Sequence, residues 1–191
     1  MGHESRLWEA TRITLTPTGS GRSYGVEVKD ESGSTLAACD AEGTIRDAAG
    51  EAVLTAPLHW EGRGNKATDV RVDFADAGGS ALGTGRVTKY GVGPRAKKAT
   101  VEVVDAGGVT ALRLEPRDGR GQELALTAGD SALATVAVEQ VKTGFMRKSR
   151  VYTVVLADGV TQDVRPLALA TAIRYDAVLN AVVSAVASDR D

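Results

Sequence analysis

The stretch Arg165-Pro166-Leu167-Ala168-Leu169-Ala170-Thr171-Ala172-Ile173-Arg174-Tyr175-Asp176-Ala177-Val178-Leu179-Asn180-Ala181-Val182-Val183-Ser184-Ala185-Val186-Ala187 decides the reading of this chain. A proline fits the first turn of a helix, and the Ala, Leu and Val that follow predict a helix over residues 166–187. Asp176, Asn180 and Ser184 recur every four residues and make one thin polar line. Thr171 and Arg174 fall on other faces. A helix apolar almost all round belongs in a core or in a membrane. Two charges near its middle, Arg174 and Asp176, argue against a transmembrane span, so none is expected. Such a helix is about 30 Å long, the length of a strand of about nine residues. A closed barrel of such strands would sheathe it end to end, with Ile173, Leu179 and Val183 expected inside.

Working outward, the rest of the chain has the period of strands. Val26-Glu27-Val28-Lys29-Asp30 precedes Gly33, and Val70-Arg71-Val72-Asp73-Phe74 precedes Gly78-Gly79. Val101-Glu102-Val103-Val104-Asp105 precedes Gly107-Gly108, and Leu124-Ala125-Leu126 precedes Gly129-Asp130. Each run alternates, ends in an Asp/Gly turn and is followed by a second run, as in Thr110-Ala111-Leu112-Arg113-Leu114. Alternation buries one face, and Gly or Asp supplies the backbone of a tight reversal. Further strands are expected over residues 7–15 and 52–58. The fold class is therefore mainly β: a closed antiparallel barrel of about twelve strands around one buried C-terminal apolar helix. Closure leaves no sheet edge to protect. The expected organisation is a flexible N-terminus (1–6), one barrel domain (7–188) with the central helix at 166–187, and a tail (189–191).

The repeated strand–Asp-x-x-Gly–strand units, Tyr152-Thr153-Val154-Val155-Leu156 and the run Arg165-Pro166-Leu167-Ala168-Leu169-Ala170-Thr171-Ala172-Ile173 resemble the tubby C-terminal-like superfamily. The resemblance runs over residues 7–188 and is nearest the LURP-one-related and phospholipid-scramblase-like branches. It implies a twelve-stranded barrel around a central C-terminal helix and carries no catalytic residues over. Tubby members bind phosphoinositides through basic side chains, and scramblase-like members are associated with membranes and calcium. This chain has no acidic calcium loop of the scramblase kind, no cluster of cysteines for palmitoylation and no Pro-rich N-terminal tail. Lipid scrambling is not expected of it.

Composition bounds the function. Over 191 residues, 42% are hydrophobic, only 4% are aromatic and the net charge is −2. No global field favours nucleic acid, which is not expected as a partner. Cys39 is the only cysteine and the first sixteen residues hold no apolar signal core, so a reducing, cytoplasmic setting is expected. His3 and His59 are the only histidines, which leaves too few ligands for a structural zinc site. No G-x-S-x-G elbow is present, and Gly91-Val92-Gly93-Pro94 lacks the Gly-Lys-Ser/Thr ending of a phosphate loop. No enzyme activity, metal or cofactor is expected.

One feature stands out. Arg86, Lys89, Arg95, Lys97 and Lys98 form a basic segment, and Lys142, Arg147, Lys148 and Arg150 form another about fifty residues later. Each carries an aromatic beside glycine and no acidic residue, as in a duplicated unit. Both read as connections between hairpins, lying on one rim or on opposite rims of the barrel. The expectation is an anion or phospholipid-headgroup site at Lys89, Arg95, Lys97, Lys98, Lys142, Arg147, Lys148 and Arg150. Tyr90, Phe145 and Met146 would dip into the membrane interface. The protein is then a non-enzymatic binding module, peripheral at the membrane. The alternative is a protein–protein interaction or scaffold domain with a protein partner and no lipid ligand, since basic runs are often only solvated surface.

Overall fold

The computed structural model describes residues 6–19, 24–60, 66–93, 97–142 and 148–188, with only the backbone described for Thr110 and Lys148. After a one-turn helix α1 (Arg6–Glu9) come β1 (Arg12–Thr18), β2 (Gly25–Lys29), β3 (Thr35–Cys39), β4 (Thr44–Asp47), β5 (Ala52–Thr55) and β6 (Leu58–His59). Then follow β7 (Arg71–Asp76), β8 (Ala81–Val92), β9 (Lys97–Asp105), β10 (Thr110–Pro116), β11 (Glu123–Ala128), β12 (Ser131–Lys142) and β13 (Lys148–Leu156). Helix α2 (Arg165–Ser188) ends the described chain.

The sheet runs β5-β4-β3-β2-β1-β13-β12-β11-β10-β9-β8-β7-β6, antiparallel throughout. It closes where β5 pairs with β7 through Leu54↔Asp76 and Thr55↔Ala75. The result is a twelve-stranded barrel with β6 as one extra strand. β6 shares the β7 edge with β5, and Pro57, which has no N–H to give the ladder, lies between them. That break divides the single strand expected over 52–58. The strand expected over 7–15 starts at Arg12, because Leu7 sits instead on α1 and is fully buried.

Directly opposed residues of antiparallel strands share a face. The pairs Ile13↔Val154, Leu15↔Val28, Val103↔Leu112 and Leu114↔Leu126 are all inward and buried. They form a wall of branched aliphatic side chains around α2, from which sixteen residues are buried. Helix α2 passes closest to β7, β8, β9 and β10. Ile173 and Leu179 are buried as expected, whereas Val183 is only half-buried, because the last turns of the helix reach the open end.

The two ends of the barrel differ, although the β3–β4 turn at the second end, Asp40-Ala41-Glu42-Gly43, is also of the Asp-x-x-Gly form. At one, β2–β3, β4–β5, β7–β8 and β9–β10 are joined by Asp-x-x-Gly turns at Asp30, Asp47, Asp76 and Asp105. In each the aspartate Oδ1 accepts the backbone N–H four residues on, at 2.8–3.0 Å. The glycine has φ between +82° and +85°, where a Cβ would be strained. Helix α2 enters at this end, where Arg165 donates to the Trp8 carbonyl at 2.6 Å. At the other end, the segments read from sequence as basic connections are largely strand. β8 continues to Val92 and returns as β9 from Lys97; β12 continues to Lys142 and returns as β13. Alternating burial is lost over the last residues of β8 and β12, so both hairpins reach beyond the barrel wall.

Candidate functional site

Strand order decides where the basic segments lie. β8 and β12 are separated by three strands in an antiparallel sheet and therefore run in the same direction. Their hairpins leave the barrel at one rim, the mouth opposite the Asp-x-x-Gly end. Lys89 and Tyr90 are exposed near the end of β8, Lys97 is exposed at the start of β9, and Lys142 is exposed at the end of β12. Lys98 is half-buried and its Nζ lies 3.4 Å from the Gly119 carbonyl. Arg95, Phe145, Met146 and Arg147 lie outside the described residues, as does the Lys148 side chain. Between the two arms, the β10–β11 turn adds exposed Arg117 and Arg120 to the same rim. The acidic groups towards this end among the described residues are Asp40, Glu42, Asp118, Glu123 and Glu139, of which Asp40 and Asp118 accept backbone N–H groups of their own turns.

Arg150 behaves differently from the other basic residues. It is drawn inward from β13, donating to Asp176 at 2.8 Å and to Asn180 at 2.6 Å. Its charge is paired inside the barrel. Asp176, 5% exposed, also accepts from Tyr152 at 2.5 Å, Tyr24 at 3.0 Å and Asn180 at 3.0 Å. Its two oxygens thus take four hydrogen bonds, the full capacity of a carboxylate. Burial first, then the charge of Asp176, pushes the Tyr24 and Tyr152 phenols far above the ordinary tyrosine range. Tyr175 turns to β9 and both donates to the Ala99 carbonyl and accepts the Ala99 N–H, at 2.9 and 3.1 Å. Burial pushes it up to about 12.

Two residues before Asp176, Arg174 is 1% exposed and has no carboxylate partner among the described residues. It donates to the Cys39 Sγ at 3.6 Å, and its Nε has no acceptor. Burial pushes the Cys39 thiol up, so it stays neutral and does not balance the arginine.

Tyr24, Arg150, Arg174, Asp176 and Asn180 line a cavity of about 870 Å³ at the mouth, between α2 and the barrel wall. Lys97 and Arg120 stand at it from the rim, Leu58 and Trp60 form an apolar side, and Asn180 and Ser184 continue the helix's polar line into it. The Trp60 Nε1 is buried and has no acceptor among the described residues. His59, beside Trp60, instead pairs with Asp73 at 3.0 Å on the outer surface, and both are well exposed.

Of the residues read from sequence as an anion site, Lys97 and Arg150 line this cavity and Lys89, Lys98 and Lys142 do not, while Tyr24, Trp60, Tyr152 and Arg174 were not singled out as its lining and support. The available signal was the pair of charges inside an apolar helix, since an ionisable residue in such a setting marks a partner or a site. Arg117 and Arg120 were masked by Glu115, Asp118 and Glu123 around them, which cancel the local charge run.

No family model matches this chain. No curated protein matches it either. Among solved structures, it is similar to the X-ray structure of a protein from Arabidopsis thaliana, with 14% identity, 93% of each chain covered and a TM-score of 0.50. At that identity the likeness concerns the fold. The class defined by fold and site together is a closed β-barrel around a buried helix, open to a polar cavity at one end.

Proposed function

We propose that this chain is a non-enzymatic binding barrel of the tubby-like, LURP-one-related kind that meets an anionic phospholipid surface with its mouth. The observation that supports this reading is the common direction of β8 and β12, which carries Lys89, Lys97, Lys98 and Lys142 to one rim, with Arg117 and Arg120 between them. Cations that overreach the barrel can approach a flat surface together, each contributing about 1 kcal/mol near anionic lipid. Tyr90, 46% exposed on the same arm, offers a ring suited to the headgroup boundary. The reading places the protein in the cytoplasm, peripheral to the membrane. Arg150 has no part in it, because Asp176 and Asn180 hold it.

Co-sedimentation with phosphatidylcholine vesicles, with and without phosphatidylserine, tests the proposal. Binding is expected only with phosphatidylserine and should weaken as salt rises. Replacing Lys89, Lys98 and Lys142 together by Ala should lower affinity by about two orders of magnitude. Equal binding by parent and triple variant overturns the surface reading. No binding by the parent overturns it in favour of a docking domain for a protein partner.

A further inference from the structure

We infer that the mouth cavity is a receptor for a small organic anion, whose carboxylate or phosphate group seats on Arg174 and whose apolar body lies against Trp60 and Leu58. The inference stands apart from the membrane reading, because it concerns the inside of the mouth and not its rim.

The argument starts from an imbalance. A buried charge is retained in a fold only when it is paired or meets a ligand. Asp176 is paired several times over, and by a different arginine. Arg174 faces a neutral thiol at 1% exposure. Trp60, whose buried Nε1 has no acceptor among the described residues, also lines this cavity. Two buried donor atoms without acceptors among the described residues, on side chains that line one cavity, favour an acceptor from outside the chain.

Charge and size narrow what that acceptor is. Among the described residues lining the cavity, Lys97, Arg120, Arg150 and Arg174 are cationic and Asp176 is the one carboxylate. Asp176 is already neutralised by Arg150, so the remaining field favours an anion. A planar guanidinium fork matches carboxylate and phosphate. The cavity, about 870 Å³, is far larger than an inorganic ion and falls within the range of small-molecule pockets. Pro17, Leu58, Val138, Ala177 and Ala181 give it apolar wall. The chemistry that fits is one acidic group on an apolar body, offered either as a free amphiphile or by a lipid entering from a membrane.

The test uses the full chain with Trp8→Phe, so that Trp60 is the only tryptophan reporter. Monomeric decanoate and decyl phosphate are titrated against its fluorescence in the absence of any membrane, with decanol as the neutral control. Saturable binding of both anions is expected, with decanol at least tenfold weaker. Arg174→Met should weaken the anions at least tenfold and leave decanol unchanged, while the triple lysine variant of the rim should bind them as the parent does. The proposal is overturned if the parent binds neither anion, if decanol binds as well, or if Arg174→Met binds the anions undiminished. Should Arg174→Met fail to fold, Trp60→Phe measured by calorimetry decides: several-fold weaker binding supports the receptor, and equal binding overturns it. Phosphatidic acid vesicles then identify the source. If decyl phosphate competes with them, the receptor takes its anion from lipid. If it binds but does not compete, the receptor takes a free amphiphile.

Discussion

The two ends of the barrel differ in how their polar groups find partners. At the closed end each reversal is settled within five residues. An aspartate accepts the backbone of its own turn, and a glycine takes the left-handed conformation the turn needs. At the mouth the β3–β4 turn at Asp40 is settled the same way, but the side chains inside the mouth meet across the fold. Tyr24 meets Asp176 across 152 positions of sequence, and Arg174 meets Cys39 across 135. The closed end balances its polar groups one turn at a time. The mouth balances Asp176 and leaves the Arg174 Nε and the Trp60 Nε1 without acceptors among the described residues. Balanced polar groups maintain a fold, whereas an unbalanced buried charge lowers stability unless something else meets it.

This contrast can be broken experimentally. The largest effect is expected from Asp176→Ala, which strips Arg150 of its partner and leaves two buried phenols without an acceptor. Removing one member of a buried pair costs about 3–5 kcal/mol, measurable by urea unfolding. A loss below about 1 kcal/mol would mean that the network is solvated and that the mouth is no different from ordinary surface.

Next in size is an alkaline effect. Tyr24, Tyr152 and Tyr175 have native pKa values raised above the unfolded value of 10.0. Their neutral form is favoured in the fold, so their contribution is fully present below pH 10. It is lost as pH rises through and beyond that value, because the unfolded chain releases protons first. Stability should fall above about pH 10, and tyrosinate absorbance of these rings should appear together with unfolding. Ionisation of all three in a chain still folded would show that the mouth admits water freely.

At the closed end, Asp105→Ala removes an acceptor serving Gly107 and Val109 on an exposed turn. Its expected cost is about 1 kcal/mol, with additive behaviour alongside Asp176→Ala because the two ends share no partners. Marked coupling between the two changes would join the ends that the structure separates.

The smallest effect on stability is expected from Arg174→Met. An arginine without a counter-ion gives up little when an apolar chain of similar length replaces it. The change should be neutral within about 1 kcal/mol or stabilising in thermal unfolding. A loss as large as that of Asp176→Ala would make Arg174 structural and remove the asymmetry on which the anion receptor rests.

The barrel was legible because its cause is periodic and local. Alternation in Val26–Val28 and Val101–Val103, Asp and Gly at the reversals, and a helix apolar on almost every side each point to the same architecture without knowledge of any distant contact. Even the polar line Asp176-Asn180-Ser184 was visible, as were the exposed lysines of the two arms. Local pattern does not tell how far a strand continues past its turn signal. The arms of β8 and β12 were therefore read as loops, although the sheet extends them by pairing Tyr90 with Ala99 and Gln140 with Arg150. Nor does sequence assign a charge to its partner. Arg150 looked like one more member of a basic run and is instead bound to Asp176, while Arg174, beside that aspartate in sequence, is not. A step of two residues turns a helix by more than half a revolution. Which of the two arginines meets the carboxylate was therefore decided by the barrel's closure, which brings β13 to one face of α2 and the end of β3 to another.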